Sequence, residues 1–349
     1  MSYFRSNITS MTGYVPGEQP RGQEFIKLNT NENPYPCSPK VKAAIGRAVQ
    51  AGLQKYPDPL ATEFRQRAGE LLGVDPAWIL CGNGSDDLLT IVTRAFVNSG
   101  DLVRFAQPSY LLYKTLAEIQ GAQCQIINYE SDWSLGEEFH RASDKLRLVY
   151  LANPNSPSGT TLPPGEVARI AAALPCPLLV DEAYADFAET NCLGLVAQSE
   201  SVLVSRTLSK SYALAGLRFG YLVAQPQIIA ELVKVKDSYN CDALSIAGAT
   251  AALDDQAWFT ETRAAILATR SKLTGDLRGL GFECVKSQAN FIWCRHPRQA
   301  SKELYQKLKT GGILVRYMNY PDWGDGLRIT VGTAEQTAAL VSLLKTLVE

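Results

Sequence analysis

Trp78-Ile79-Leu80-Cys81 runs into Gly82-Asn83-Gly84-Ser85-Asp86-Asp87, after which Leu88, Leu89, Val92, Ala95 and Phe96 recur at helical spacing. A short apolar run, a glycine-rich turn and an immediate helix make the repeating unit of an α/β sheet. The alternation continues outward. Residues 102–105 read as a strand, and the helix after it carries Leu111, Leu112, Thr115, Leu116 and Ile119. Residues 123–128, 146–151, 177–180 and 202–204 read as further strands. This order predicts a mostly parallel central sheet, and in such sheets ligands bind beyond the carboxyl ends of the strands.

After about residue 245 the pattern changes. Residues 247–253 and 259–280 read as helix, and 291–294, 313–316 and 327–331 as strands of a mixed α+β segment. The expected organisation is an N-terminal arm over 1–28, containing Gly13-Tyr14-Val15-Pro16-Gly17, a large domain over 29–245 and a smaller C-terminal domain over 246–349. A chain of 349 residues suits one large and one small domain. With 46% hydrophobic and 20% charged residues, the composition is that of a globular protein. A net charge of -1 leaves no electrostatic footprint for nucleic acid or an anionic membrane. The 8 cysteines form no Cys-x-x-Cys pair, and His140 and His296 are the only histidines, so no metal is expected. Reduced thiols in a cytoplasm are the simplest account of those cysteines. No apolar run has the length of a signal peptide core or a membrane span.

The unusual residues fall where strands end. Lys210 lies just beyond the 202–204 strand in Ser205-Arg206-Thr207-Leu208-Ser209-Lys210, with Arg218 following in Ala213-Leu214-Ala215-Gly216-Leu217-Arg218. Taken alone, such a lysine is most often solvated; partly buried beside other cations, its amine becomes nucleophilic enough for a Schiff base. Asp181 ends the apolar run Leu178-Leu179-Val180. It reads either as a helix N-cap or as a buried partner for a cation, of which a protonated pyridine nitrogen is one kind. Asn153-Pro154-Asn155-Ser156-Pro157-Ser158-Gly159 is a rigid turn that can hold polar groups against a ligand, or a plain loop. The Gly82–Ser85 turn suits a phosphate at a helix N-terminus. A dinucleotide fingerprint would need glycine at position 87, which is Asp87. Tyr110 reads as a core residue or as a face for a flat ring, and Ser209 and Arg218 can complete a phosphate cup.

Together with Asp181-Glu182-Ala183-Tyr184 and Leu327-Arg328-Ile329-Thr330-Val331-Gly332-Thr333, these motifs resemble the histidinol-phosphate aminotransferase branch of the fold-type-I pyridoxal phosphate aminotransferases. The resemblance runs from Leu28-Asn29-Thr30-Asn31-Glu32-Asn33 into the C-terminal domain. It implies that Lys210 carries the cofactor and later moves the substrate proton, that Asp181 pairs with the pyridine nitrogen, and that Tyr184 donates to the cofactor O3′. It further implies that Tyr110 stacks on the ring and that the Ser85 and Asp86 amides, with Ser209 and Arg218, hold the phosphate. Tyr56, in Lys55-Tyr56-Pro57-Asp58-Pro59, matches a tyrosine that reaches the neighbouring subunit's cofactor, which implies a homodimer with shared sites. Arg328 and Arg316 match arginines for the substrate anion; Tyr14 on the arm and Asn31 join them. Where the family has a second O3′ ligand, an asparagine before Pro-Thr-Gly, this chain has Ser156. The implied reaction takes an amino donor, L-histidinol phosphate, and a 2-oxo acid, 2-oxoglutarate. An aromatic amino-acid aminotransferase and a threonine-phosphate decarboxylase would use nearly the same residues. A dinucleotide-dependent oxidoreductase is the reading from a different class.

Overall fold

The computed structural model describes residues 3–15, 17–19, 24–321 and 323–348; Pro16 of the expected arm lies outside them. Six strands stand where the alternation predicts them: β1 (Ile79–Gly82), β2 (Leu102–Gln107), β3 (Gln123–Asn128), β4 (Leu146–Ala152), β5 (Leu178–Asp181) and β6 (Val202–Thr207). A further strand, β7 (Gly220–Val223), was not anticipated. The seven form one sheet in the order β1-β7-β6-β5-β4-β2-β3. Strands β2 to β6 run parallel, while β7 is antiparallel to both its neighbours, β1 and β6.

The sheet is covered on both faces, which explains why its central strands are unbroken apolar runs rather than alternating ones. Val149, Leu151, Leu178, Val180, Val202 and Val204 point into one core layer with Phe64, Phe139 and Ile170. Leu148, Leu179 and Leu203 point into the other, against Leu88, Leu89 and Val92 of the helix Ser85–Phe96. That helix begins on Gly84, whose φ of +84° favours glycine, and a Cβ there would come within 2.5 Å of the Arg218 guanidinium. Asp86 and Asp87 occupy its first turn, where the helix dipole favours negative charge.

The C-terminal part carries an antiparallel sheet in which Phe291–Arg295 lies between Glu283–Cys284 and Gly324–Thr330, with Arg316–Tyr320 beyond. Leu277, Ile292, Leu308, Ile329 and Leu344 form its core. Leu28 packs into that same core, and Ile26–Lys27 pairs with Ile313–Leu314. The arm therefore ends inside the small domain. The expected division at 245/246 falls within the helix Ala243–Leu253, whose Ile246, Ala249 and Ala252 pack into the large domain's core. At its other end the arm lies on the large domain, where Asn7 donates to the Glu118 carbonyl at 2.7 Å.

At the carboxyl ends of β5 and β6, buried Arg206 and Glu182 and half-buried Asp186 tie the framework together. Arg206 donates through Nε and Nη2 to Glu182 Oε2, both at 2.7 Å, and through Nη1 to Asp186 at 2.9 Å. Glu182 also accepts from the Cys192 amide, and Asp186 from the Ser211 hydroxyl. Burial pushes the Glu182 carboxyl up, and the Arg206 guanidinium opposes that rise. Removing one partner of a buried pair leaves the other uncompensated, which costs about 3–5 kcal/mol. Arg206→Met should lose that much in urea unfolding, and Arg206→Met with Glu182→Gln should lose less than Arg206→Met alone. A loss under about 1 kcal/mol would show that the network carries little of the stability.

Candidate active site

The carboxyl ends of β4, β5 and β6 open into a cavity of ≈ 270 Å³. Strand-end segments supply Ser156, Asp181, Tyr184, Ser209 and Lys210; the small domain supplies Arg316 and Arg328; the arm supplies Tyr14. Every residue expected at the site lines this cavity except Tyr56, which is exposed elsewhere and stacks on Tyr239 with ring centroids 4.4 Å apart.

Asp181 sits at the floor. Its carboxylate accepts from the Tyr113 hydroxyl at 2.8 Å, the Ser205 hydroxyl at 3.2 Å and the Ala183 amide at 3.3 Å. Burial nevertheless pushes the carboxyl up to about 6; these hydrogen bonds hold the rise back and the nearby Asp86 charge adds to it. A carboxylate that stays high with three donors on it lacks a cation, and this one faces the cavity.

Along one wall, Ser85 opens the N-terminus of its helix beside Ser209 and Arg218. The approach is close because Gly220 has no side chain: a Cβ there would meet the Ser85 amide nitrogen at 2.8 Å. Ser209 Oγ accepts from Thr207 at 2.9 Å, and Arg218 reaches towards Asp86 at 3.5 Å. Free amides at a helix start with a guanidinium beside them form an anion site. Tyr110 donates to the Asp86 carboxylate at 3.0 Å and packs edge-on against Tyr113 and Tyr14. Lys210 Nζ donates to the Thr30 carbonyl at 3.2 Å and lies 5.8 Å from the centre of the Tyr184 ring.

On the opposite side, Arg316 and Arg328 occupy directly facing positions of an antiparallel strand pair. Like charges so placed repel, and an anion between them relieves that repulsion. Arg328 donates to Ser156 Oγ at 2.9 Å and to the Asn29 carbonyl at 3.0 Å, and its Nε is buried without a hydrogen-bond partner. The Ser156 hydroxyl thus engages an arginine on the expected substrate side. Asn31 donates to the Tyr184 hydroxyl at 2.9 Å, which leaves the phenol its own proton to donate. Thr330 and Asn290 fix Asn31 in turn, so its amide also serves to position Tyr184.

Tyr113, Ser205 and Thr207 were missed from the sequence. Tyr113 is fully buried in the helix Leu112–Gln120, and nothing in its sequence surroundings separates it from an apolar core tyrosine. Asn155, which binds Ser109 at 2.8 Å and the Pro108 carbonyl at 3.0 Å, was visible only as part of a turn. No cluster of candidate metal ligands occurs among the described residues.

The family model described as "Aminotransferase class I and II" matches residues 23–344. A histidinol-phosphate aminotransferase of Rhodopirellula baltica is 53% identical over 98% of this chain and 95% of its own length. Histidinol-phosphate aminotransferase 1 of Trichormus variabilis is 46% identical over 99% of both. Among solved structures, histidinol-phosphate aminotransferase from Sinorhizobium meliloti in complex with pyridoxal-5'-phosphate superimposes with a TM-score of 0.91 at 26% identity, covering 100% of this chain and 98% of that one.

The raised Asp181 carboxyl has a consequence for stability in protein stripped of any cationic ligand. Between an unfolded carboxyl near 4 and a folded one of about 6, the folded state binds the extra proton, so stability falls as pH rises through that window. Asp181→Asn removes this loss. The variant should match the parent at pH 4 and exceed it by about 2 kcal/mol at pH 7. Thermal melts of both stripped proteins across that range test this, and parallel pH profiles would contradict it.

Proposed function

The chain belongs to the histidinol-phosphate aminotransferases of the class I and II aminotransferase family, and we propose that it moves the amino group of L-histidinol phosphate to 2-oxoglutarate with pyridoxal phosphate. The observation that carries this reading is the convergence, in one cavity, of a cation-seeking Asp181, the Lys210 amine and the facing arginines. The residues fit the cofactor point by point: a carboxylate for the ring nitrogen, a flat Tyr110 for the ring, a helix start with Arg218 for the phosphate, and an amine for the aldehyde. Bound there, pyridoxal phosphate supplies an aldehyde that condenses with amines and a ring that accepts electrons from the substrate carbon.

The chain's own groups then take distinct roles. Asp181 holds the ring nitrogen protonated, and Tyr113 and Ser205 keep its oxygens oriented. The backbone amides of Ser85 and Asp86, with Ser209 and Arg218, anchor the phosphate. Tyr184, positioned by Asn31, donates to O3′. Lys210 would hold the cofactor through its aldehyde, and its Nζ is the base that would take the proton from the donor's α-carbon. Arg328 and Arg316 bind the donor's phosphate in one half-reaction and a carboxylate of the oxo acid in the other, since both are oxyanions to a guanidinium fork. Tyr14 covers the opening from the arm. Ser156 holds Arg328 in place for that anion.

The same reading includes a homodimer and a cytoplasmic location. The exposed Tyr56, stacked on Tyr239 away from this cavity, supports a role in the site of a second subunit. The 8 free cysteines suit a reducing compartment, and no helix among the described residues is long and apolar enough to cross a membrane.

In a half-reaction screen, histidinol phosphate should exceed phenylalanine, tyrosine and threonine phosphate in kcat/KM, and Lys210→Ala should abolish the reaction. Arg328→Ala should weaken donor use by about 2 kcal/mol, roughly 30-fold, as for loss of a charge-assisted contact. A preference for phenylalanine would instead assign an aromatic amino-acid aminotransferase.

For the shared site, mixing inactive Lys210→Ala with Tyr56→Phe protein should change activity only as fast as subunits exchange. A monomer by sedimentation at assay concentration would remove this part of the proposal.

A further inference from the structure

Away from the cavity, the small sheet brings two cysteines together. Cys284 and Cys294 occupy facing positions on the antiparallel strands Glu283–Cys284 and Phe291–Arg295. The Val285 amide donates to the Trp293 carbonyl at 3.0 Å, which makes Val285 and Trp293 a hydrogen-bonded pair and the adjacent Cys284 and Cys294 a non-hydrogen-bonded one. In such pairs the Cα atoms are about 4.5 Å apart and the side chains closest, within the roughly 4.4–6.8 Å range that a disulfide spans.

The two sulfurs are not equivalent. Cys294 is fully buried in the small-domain core. Cys284 is half-buried on the edge strand Glu283–Cys284, at the rim of that same core, and is therefore the more accessible of the two. We propose that Cys284 and Cys294 form a thiol–disulfide exchange site, in which a small disulfide such as glutathione disulfide attacks nothing itself but is opened by Cys284, with Cys294 resolving the product. The Cys294 thiol donates towards the Cys284 sulfur and holds the Cys284 thiol below its usual range; burial opposes this and the nearby Arg278 assists. The same interaction and burial push Cys294 well up. A half-buried thiol held below its usual range beside a fully buried one is the arrangement of an attacking and a resolving cysteine.

The steps balance. Cys284 thiolate attacks one sulfur of the disulfide; the S–S bond breaks and one glutathione leaves as thiolate, taking up a proton. Cys294 then loses its proton and attacks the Cys284 sulfur, forming the intrachain bond and releasing the second glutathione, which takes that proton. Two protein thiols are oxidised and one small disulfide is reduced to two thiols. Cys81 and Cys241 also lie near each other, but both are buried and burial pushes both thiols up, so they provide an internal control.

Holoenzyme is treated with glutathione disulfide near neutral pH, its remaining thiols are alkylated, and tryptic peptides are read by mass spectrometry without reduction. The cut sites Arg278, Lys286 and Arg295 place the two cysteines in separate peptides. Peptides 279–286 and 287–295 should appear joined, dithiothreitol should separate them, and Cys81 and Cys241 should react at least about tenfold more slowly. Cys294→Ser should accumulate a glutathione adduct on Cys284, whereas Cys284→Ser should leave Cys294 alkylatable. Full alkylation of Cys284 and Cys294 after prolonged treatment, or oxidation of Cys294 unchanged in Cys284→Ser, would overturn the proposal.

Discussion

The buried charge cluster of Glu182, Arg206 and Asp186 is the constraint on which the site depends. Asp181 and Glu182 are sequence neighbours and therefore present their carboxylates to opposite sides of the chain. Glu182 satisfies itself on Arg206, inside the protein, so Asp181 is left facing the cavity. The cluster extends through Asp186 to the hydroxyl of Ser211, the residue after Lys210. Tyr184 lies between Glu182 and Asp186. One set of ion pairs thus fixes the segments that carry all three proposed catalytic groups. A network of this kind contributes little net stability relative to an apolar replacement, but it specifies one arrangement of two adjoining loops.

Electrostatics divides the cavity into two ends. At one, Asp181 and Asp86 bring negative charge to a site partly closed to water, and Tyr113, Ser205 and Ala183 hold Asp181 without neutralising it. At the other, Arg316 and Arg328 face each other across paired strands. The proposed ligand is matched to both ends: a protonated ring nitrogen to the carboxylate and an oxyanion to the arginines. A ligand-binding protein whose fixed charges are preorganised in this way does less rearrangement when the ligand binds. The arm and the small domain contribute to the same cavity because Ile26–Lys27 pairs with Ile313–Leu314 in a separate two-stranded sheet and Leu28 packs into the small domain's core before the chain enters the large one.

The parallel strands were legible because both faces of the sheet are covered, so each strand is a compact apolar run bounded by turn residues. Strand β7 was not. Between β6 and Gly220-Tyr221-Leu222-Val223 there is only one short 3-10 turn, Ala215–Leu217, and an antiparallel return needs no α-helix. Lys210, Asp181, Tyr184, Arg218 and the paired arginines were legible as polar residues out of place at strand ends or as pieces of a recognisable motif set. Tyr113 was not, since a phenol that serves Asp181 has the same sequence surroundings as one that fills the core. Ser156 stands out in the sequence as a departure, but its hydrogen bond to Arg328 depends on two segments 172 residues apart.

The amino-acid sequence by itself determined the class of fold, the family resemblance and the chemical types of the site residues, because hydrophobic periodicity and short motifs are local properties of a chain. Tertiary structure alone decided which polar atoms meet: Asn31 with Tyr184, Tyr113 with Asp181, Ser156 with Arg328 and Cys284 with Cys294. Register and domain packing set those contacts. They arise from the simultaneous burial of many distant apolar groups, which no local stretch of sequence records.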